Sequence, residues 1–120
     1  MIISNIFWIN IDIFEAEVEI TDGNFSIICF SCDKKLNKGD TIDDSLVAID
    51  IAEIKVVENE YYIQKIDNSF EHYVKGRLSN NCSKLNIGEI SININKNMMP
   101  GDINDGDFIE AIIYRIDICL

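Results

Sequence analysis

The chain reads as an all-β domain, a small antiparallel barrel or sandwich of six or seven strands, and three observations predict it. Isoleucine is the commonest apolar residue, and its branched Cβ fits a pleated sheet better than a helix. Apolar and polar residues alternate with a period of two in several segments, which places one set inward and the other in water. Turn pairs such as Asp22-Gly23, Gly39-Asp40 and Asp105-Gly106 divide these segments at hairpin spacing. At 120 residues the chain forms one domain, residues 1–120, large enough for a single core.

Taken in order, Ile2 to Trp8 leads into a first strand. Ile9, Ile11 and Ile13 alternate with polar residues, and the phase then flips to Phe14, Ala16, Val18 and Ile20. Adjacent apolar residues at Ile13 and Phe14 predict a bulge or sharp bend within one long strand. Asp22-Gly23 turns the chain, and Phe25 to Cys32 returns. Asp33 to Asp44 is a polar connection. Ser45 to Val57 is a bent strand, because its apolar phase shifts between Ile51 and Ala52.

Tyr61 to Ile66 reads as a short aromatic edge strand. In the next strand Phe70, His72, Val74, Gly76 and Leu78 share a face. Asn80 to Asn86 reads as a loop. Ile90, Ile92 and Ile94 form the clearest half-buried strand, and Lys96 to Asp107 is a long loop. The final strand, Phe108 to Ile118, has Phe108, Ile112, Tyr114, Ile116 and Ile118 on one face. The predicted core includes Phe14, Val18, Ile20, Ile49, Ile54, Val74, Ile90, Ile92, Ile112, Tyr114 and Ile116.

The net charge of −11 restricts function more than any motif does. A polyanion repels phosphate backbones and anionic lipid, which argues against nucleic-acid and membrane-surface binding. Lys34, Lys35 and Lys38 form the densest basic spot, and acidic residues flank it. The N-terminal stretch lacks the basic region and cleavage site of a signal peptide, so a cytoplasmic location with reduced thiols is expected.

A long bent first strand running through tight hairpins resembles an OB-fold. The segment from Asn86 to Asp117, with GEI, MPGD, GDFIE and RIDI, resembles C-terminal segments of uncharacterised small acidic bacterial β-proteins. The OB resemblance implies a ligand-binding barrel, but a groove for nucleic acid needs basic residues beside exposed aromatics. Tyr61, Tyr62 and Tyr73 supply aromatics, and the charge balance is acidic.

No catalytic fingerprint is present, and a non-enzyme without cofactor or metal is expected. Cys29 and Cys32 form a CxxC pair, but residues three apart on a strand face opposite sides and no helix follows to activate a thiol. Asp102 to Asp107 resembles a calcium loop, yet its glycine falls one residue early and the twelfth-position glutamate is missing. His72 shares a phase with Phe70 and Val74, as an apolar-face histidine does.

Glu15, Glu17 and Glu19 form a row of carboxylates about 7 Å apart on one strand face. Lys55, Lys75 and Arg77 are candidates to neutralise the row from a neighbouring strand; otherwise a basic partner or water does so. These residues are the first partner-binding candidates, with Asp102, Asp105, Asp107 and Glu110 second. The function expected is an acidic protein-interaction module, in one version an immunity or inhibitor protein that blocks a basic partner by carrying negative charge on a rigid sheet. The alternatives are an accessory subunit assembling through a strand edge near Tyr61 to Ile66 and an OB-like ligand-binding domain.

Overall fold

The computed structural model describes residues 1–119. Its strands are β1 (Ile2–Asn10), β2 (Glu15–Thr21), β3 (Ser26–Ser31), β4 (Leu46–Val56), β5 (Tyr62–Lys65), β6 (His72–Ser79), β7 (Lys84–Ile87), β8 (Ile90–Asn93) and β9 (Phe108–Ile118). Short 3-10 turns occupy Ile11–Ile13 and Lys96–Met98. All nine strands belong to one mixed sheet in the order β1-β2-β3-β9-β4-β8-β7-β6-β5, with β9 also paired to β6.

The all-β class agrees with the sequence reading, but nine strands replace the six or seven expected. Two local events account for the difference. At residues 13 and 14 the chain reverses instead of bending. Asn10 Oδ1 accepts the Asp12 N–H at 3.1 Å, and Phe14 takes a left-handed conformation with φ 54°. The expected long strand is therefore two antiparallel strands, with Trp8 opposite Ala16 and Asn10 opposite Glu15. The second event lies in the expected loop at Asn80 to Asn86. Asn80, Asn81 and Cys82 all have positive φ, between 55° and 61°, and they close a turn tight enough for β7 to begin at Lys84.

The last strand in the chain organises the sheet. One edge of β9 pairs antiparallel with β4 from Ile109 to Ile118. The other pairs antiparallel with β6 from Phe108 to Ile113, then meets β3 in parallel at Asp117 opposite Phe30. Strands β4 and β8 touch through one parallel bridge, Val47 to Asn93. Strands β1, β2 and β3 thus form an antiparallel wing that leaves the far end of β9, and β1 and β5 end the sheet.

The core follows the alternation. Val18, Ile20, Val74, Ile90, Ile92 and Ile116 are buried as expected. Ile49 and Tyr114 are corrections, exposed at 49% and 43%. Both are extra residues at register shifts between β4 and β9, where Ala48 pairs with Ile116, Asp50 with Arg115 and Ile51 with Ile113. A bulged residue has no partner, and the residues beyond it change face. In β9 the buried set is consequently Ile109, Ala111 and Ile113, then Ile116 and Ile118, so Ile112 and Phe108 do not join the expected inward face. Phe14 and Ile54 are half-buried.

Candidate functional site

The carboxylate row lies on the outer face of the wing. Ala16, Val18 and Ile20 point into the core, and Glu15, Glu17 and Glu19 are left half-exposed on the other side of β2. Cross-strand neighbours are set by register. Glu17 sits between Phe7 on β1 and Phe30 on β3, and Glu19 between Asn5 and Ile28. The row is thus a stripe of negative charge with Phe7, Phe30 and Ile28 beside Glu17 and Glu19, and with the amides of Asn5 and Asn10 along its β1 side. Ser4, the extra residue at a register shift in β1, donates its hydroxyl to Glu19 Oε1 at 2.7 Å and fixes that carboxylate.

The expected neutralising cations pair elsewhere. Lys55 pairs with Glu110 and Lys75 with Glu60, both at 3.0 Å, while Arg77 Nε donates to the Gly106 carbonyl at 3.2 Å. Among the described residues, no lysine or arginine forms an ion pair with Glu15, Glu17 or Glu19. Beside the row lies an open groove of about 470 Å³ lined by Phe7, Glu17, Glu19, Ile28, Lys65 and His72.

His72 forms the base of this groove, fully buried. It stands where the edge of β9 passes from β6 to β3, and a backbone donor of β3 is left without a strand partner there. The Ile28 N–H donates to His72 Nε2 at 3.2 Å. His72 Nδ1 lies 3.1 Å from the Phe70 carbonyl and donates to it. With one nitrogen accepting and the other donating, the ring is neutral. Burial holds its pKa below the ordinary 6.5 and Lys65 adds to that, against the opposing Phe70 bond. This histidine staples the wing to the body and has no free nitrogen for acid-base work.

The wing also exposes apolar surface. Phe7, Trp8, Ile9 and Ile11 are 51%, 38%, 52% and 60% exposed, and Ile13 is exposed beside them. A second groove of about 470 Å³ runs along the β1 edge, walled by Ile6, Trp8, Ile11, Phe14 and Leu36 and rimmed by Lys35 and Lys38.

The second candidate set is dispersed. Asp105 accepts the Cys82 N–H at 3.1 Å and so ties its loop to the β6–β7 turn, while Asp107 accepts the Asn104 N–H at 2.9 Å within its own turn. Asp102 is exposed in the same loop. Glu110 is separate from them, on β9, bound to the Tyr73 hydroxyl and to Lys55. The Tyr73 hydrogen bond, followed by the Lys55 bond, lowers its pKa. Glu110 is therefore a structural carboxylate within the sheet.

Cys29 is buried and Cys32 exposed, and all four cysteines are free thiols. Burial, then the charge of Asp117, pushes the Cys29 thiol far above its ordinary range. Among the described residues no three histidine, cysteine, aspartate or glutamate side chains converge as metal ligands. No helix among them is long and apolar enough to cross a membrane.

Sequence reasoning placed the three glutamates together on one face of a strand but did not give their surroundings. Phe7, Ile28, Phe30 and Lys65 join them only through register and through the junction at His72. One signal was present in the sequence: both phases of Ser26 to Ser31 carry apolar residues, so the outer face of β3 is not simply a solvated one. No protein-family model, curated protein or solved structure matches this chain.

Proposed function

We propose that the protein is a non-enzymatic interaction module that binds a basic partner on the outer face of its wing. The observation that carries this reading is the row of Glu15, Glu17 and Glu19, without an ion pair among the described residues, beside Phe7, Ile28 and Phe30. A lysine or arginine has an aliphatic stem and a charged head. The apolar flanks suit the stem, and the carboxylates suit the head. The net charge of −11 adds long-range attraction that speeds encounter with a cationic surface. An immunity or inhibitor role against a basic protein is the concrete form of this reading. In it, Asp102, Asp105 and Asp107 contribute only to the general field, because Asp105 and Asp107 are engaged by backbone N–H groups and Asp102 stands apart from the row.

The pairing circuit β9-β4-β8-β7-β6 returns to β9 and is held between β4 and β8 by only one bridge among the described residues, and we read it as a partly open, OB-like barrel that serves as scaffold. Titration of isotope-labelled protein with nona-arginine tests the location. Amide shifts centred on Phe7, Glu15 to Glu19 and Ile28 are expected. Shifts centred on residues 102–107 would move the partner site to that loop.

A further inference from the structure

Strand β1 ends the sheet, and of the usual defences within an edge strand it carries only bulges, at Ser4 and Ile9. Its sequence from Ile2 to Asn10 contains no charged residue and no proline, although exposed edges are normally protected by lysine, proline or a covering segment. Backbone cover lies at the start, and further along the Ile6 N–H donates to the Asn5 side-chain oxygen at 3.0 Å. The Ile3 N–H donates to the Asp40 carbonyl at 2.9 Å, the Gly39 N–H donates to the Ile3 carbonyl at 2.8 Å, and Ile2 bridges Thr41. The segment from Gly39 to Ile42 thus begins to add a strand to β1. Beyond Ser4, no strand among the described residues continues it.

The two faces along the open part of this edge differ in chemistry. Phe7 faces the carboxylate side with Glu17 and Glu19. Ile6 and Trp8 face the apolar groove rimmed by Lys35 and Lys38. Neither lysine makes an ion pair among the described residues. A strand laid beside β1 would present alternate side chains to these two faces. On one face basic residues meet carboxylates and the Phe7 ring. On the other the lysines repel basic residues, and Trp8, Ile6 and Leu36 favour apolar ones.

We propose that the open edge of β1, from Asn5 to Asn10, receives an extended segment of a basic protein as an added strand, with alternating basic and apolar side chains. The proposal rests on the acidic-face reading for the charge of the partner, and adds to it a main-chain mode of recognition. The charge pattern disfavours a second copy of this chain, because each copy carries −11 and two-fold pairing of β1 strands brings like faces together.

The test uses a fluorescein-labelled nine-residue peptide of alternating arginine and valine. Two further versions carry N-methyl groups on the odd or the even backbone nitrogens, so that one of them lacks the donors facing β1 in either register. Strand addition predicts that one methylated version binds at least about tenfold more weakly than the parent while the other does not, since several backbone hydrogen bonds are lost together. It also predicts slowed amide exchange between Ile6 and Asn10 in the complex. Equal binding of all three peptides, weakened only by Glu17→Lys, would overturn strand addition and leave the acidic-face reading standing. No binding of the parent peptide, with nona-arginine still shifting Glu15 to Glu19, would do the same. Protection of β1 that rises with protein concentration in the absence of peptide would overturn the proposal in favour of a second copy.

Discussion

At the residue scale the wing depends on His72. Its neutral ring accepts the Ile28 N–H, which has no strand partner at the junction. Because burial lowers its pKa below 6.5, the folded protein binds fewer protons here than the unfolded chain. The histidine therefore contributes its full stability above pH 6.5, and this is lost as pH falls from there through the lowered folded value. Urea melts between pH 7.5 and 5 are expected to show a loss that His72→Leu largely abolishes. The same variant is expected to cost about 1–3 kcal/mol at pH 7.5, because the part-buried Ile28 N–H loses its acceptor. A variant as stable as the parent at pH 7.5 would show that the staple contributes little. The sequence phase placed His72 on an apolar face correctly. It could not show the β3 backbone group, which lies 44 positions away.

At the scale of elements, turns tie the hairpins together. Asp22 starts the β2–β3 turn by accepting the Asn24 and Phe25 N–H groups at 2.8 and 2.7 Å. Its other oxygen accepts the Glu89 N–H at 2.8 Å from the β7–β8 turn. Burial opposes ionisation, but these backbone bonds outweigh it and the pKa falls below 3.8. The stability they provide is present above pH 3.8 and is lost as pH falls further. Asp22→Ala is expected to cost about 2 kcal/mol at neutral pH, measured by urea denaturation. At a further register shift of β4, between Ala52 and Lys55, Glu53 holds φ 55°, a left-handed conformation that costs a non-glycine residue about 1 kcal/mol. Glu53→Gly is expected to leave stability unchanged or raise it by up to about 1 kcal/mol, since added unfolded-state freedom offsets part of the relief, whereas Glu53→Val should lower the thermal midpoint. These irregularities explain how much of the fold was legible in the sequence. Period-two alternation located β6, β8 and the inner face of β2. It misplaced Ile49 and Tyr114, because a bulge inverts the faces beyond it and the sequence does not mark which residue is extra. It read Ile9 to Ile20 as one strand, because a phase flip looks the same for a bend and for a reversal; only the left-handed Phe14 separates them.

At the scale of the whole molecule, charge and sheet topology act together. The wing carries an acidic outer face at one end of the sheet, and the full net charge of −11 surrounds it. Single-stranded DNA titrated at low ionic strength, where attraction is least screened, is expected to show no micromolar binding despite the OB-like reading. The central claim is that three particular glutamates, and not negative charge in general, receive a basic partner. Two triple charge reversals with the same change in net charge test it most directly. One replaces Glu15, Glu17 and Glu19 with lysine. The other replaces Asp43, Glu58 and Glu89, which are exposed and make no ion pair among the described residues. Affinity for the labelled arginine-valine peptide, measured by anisotropy across a salt series, should fall at least about tenfold in the first variant, with a shallower salt dependence. In the second it should change by less than about threefold. Equal losses in the two variants would contradict the account, because net charge alone would then explain the binding.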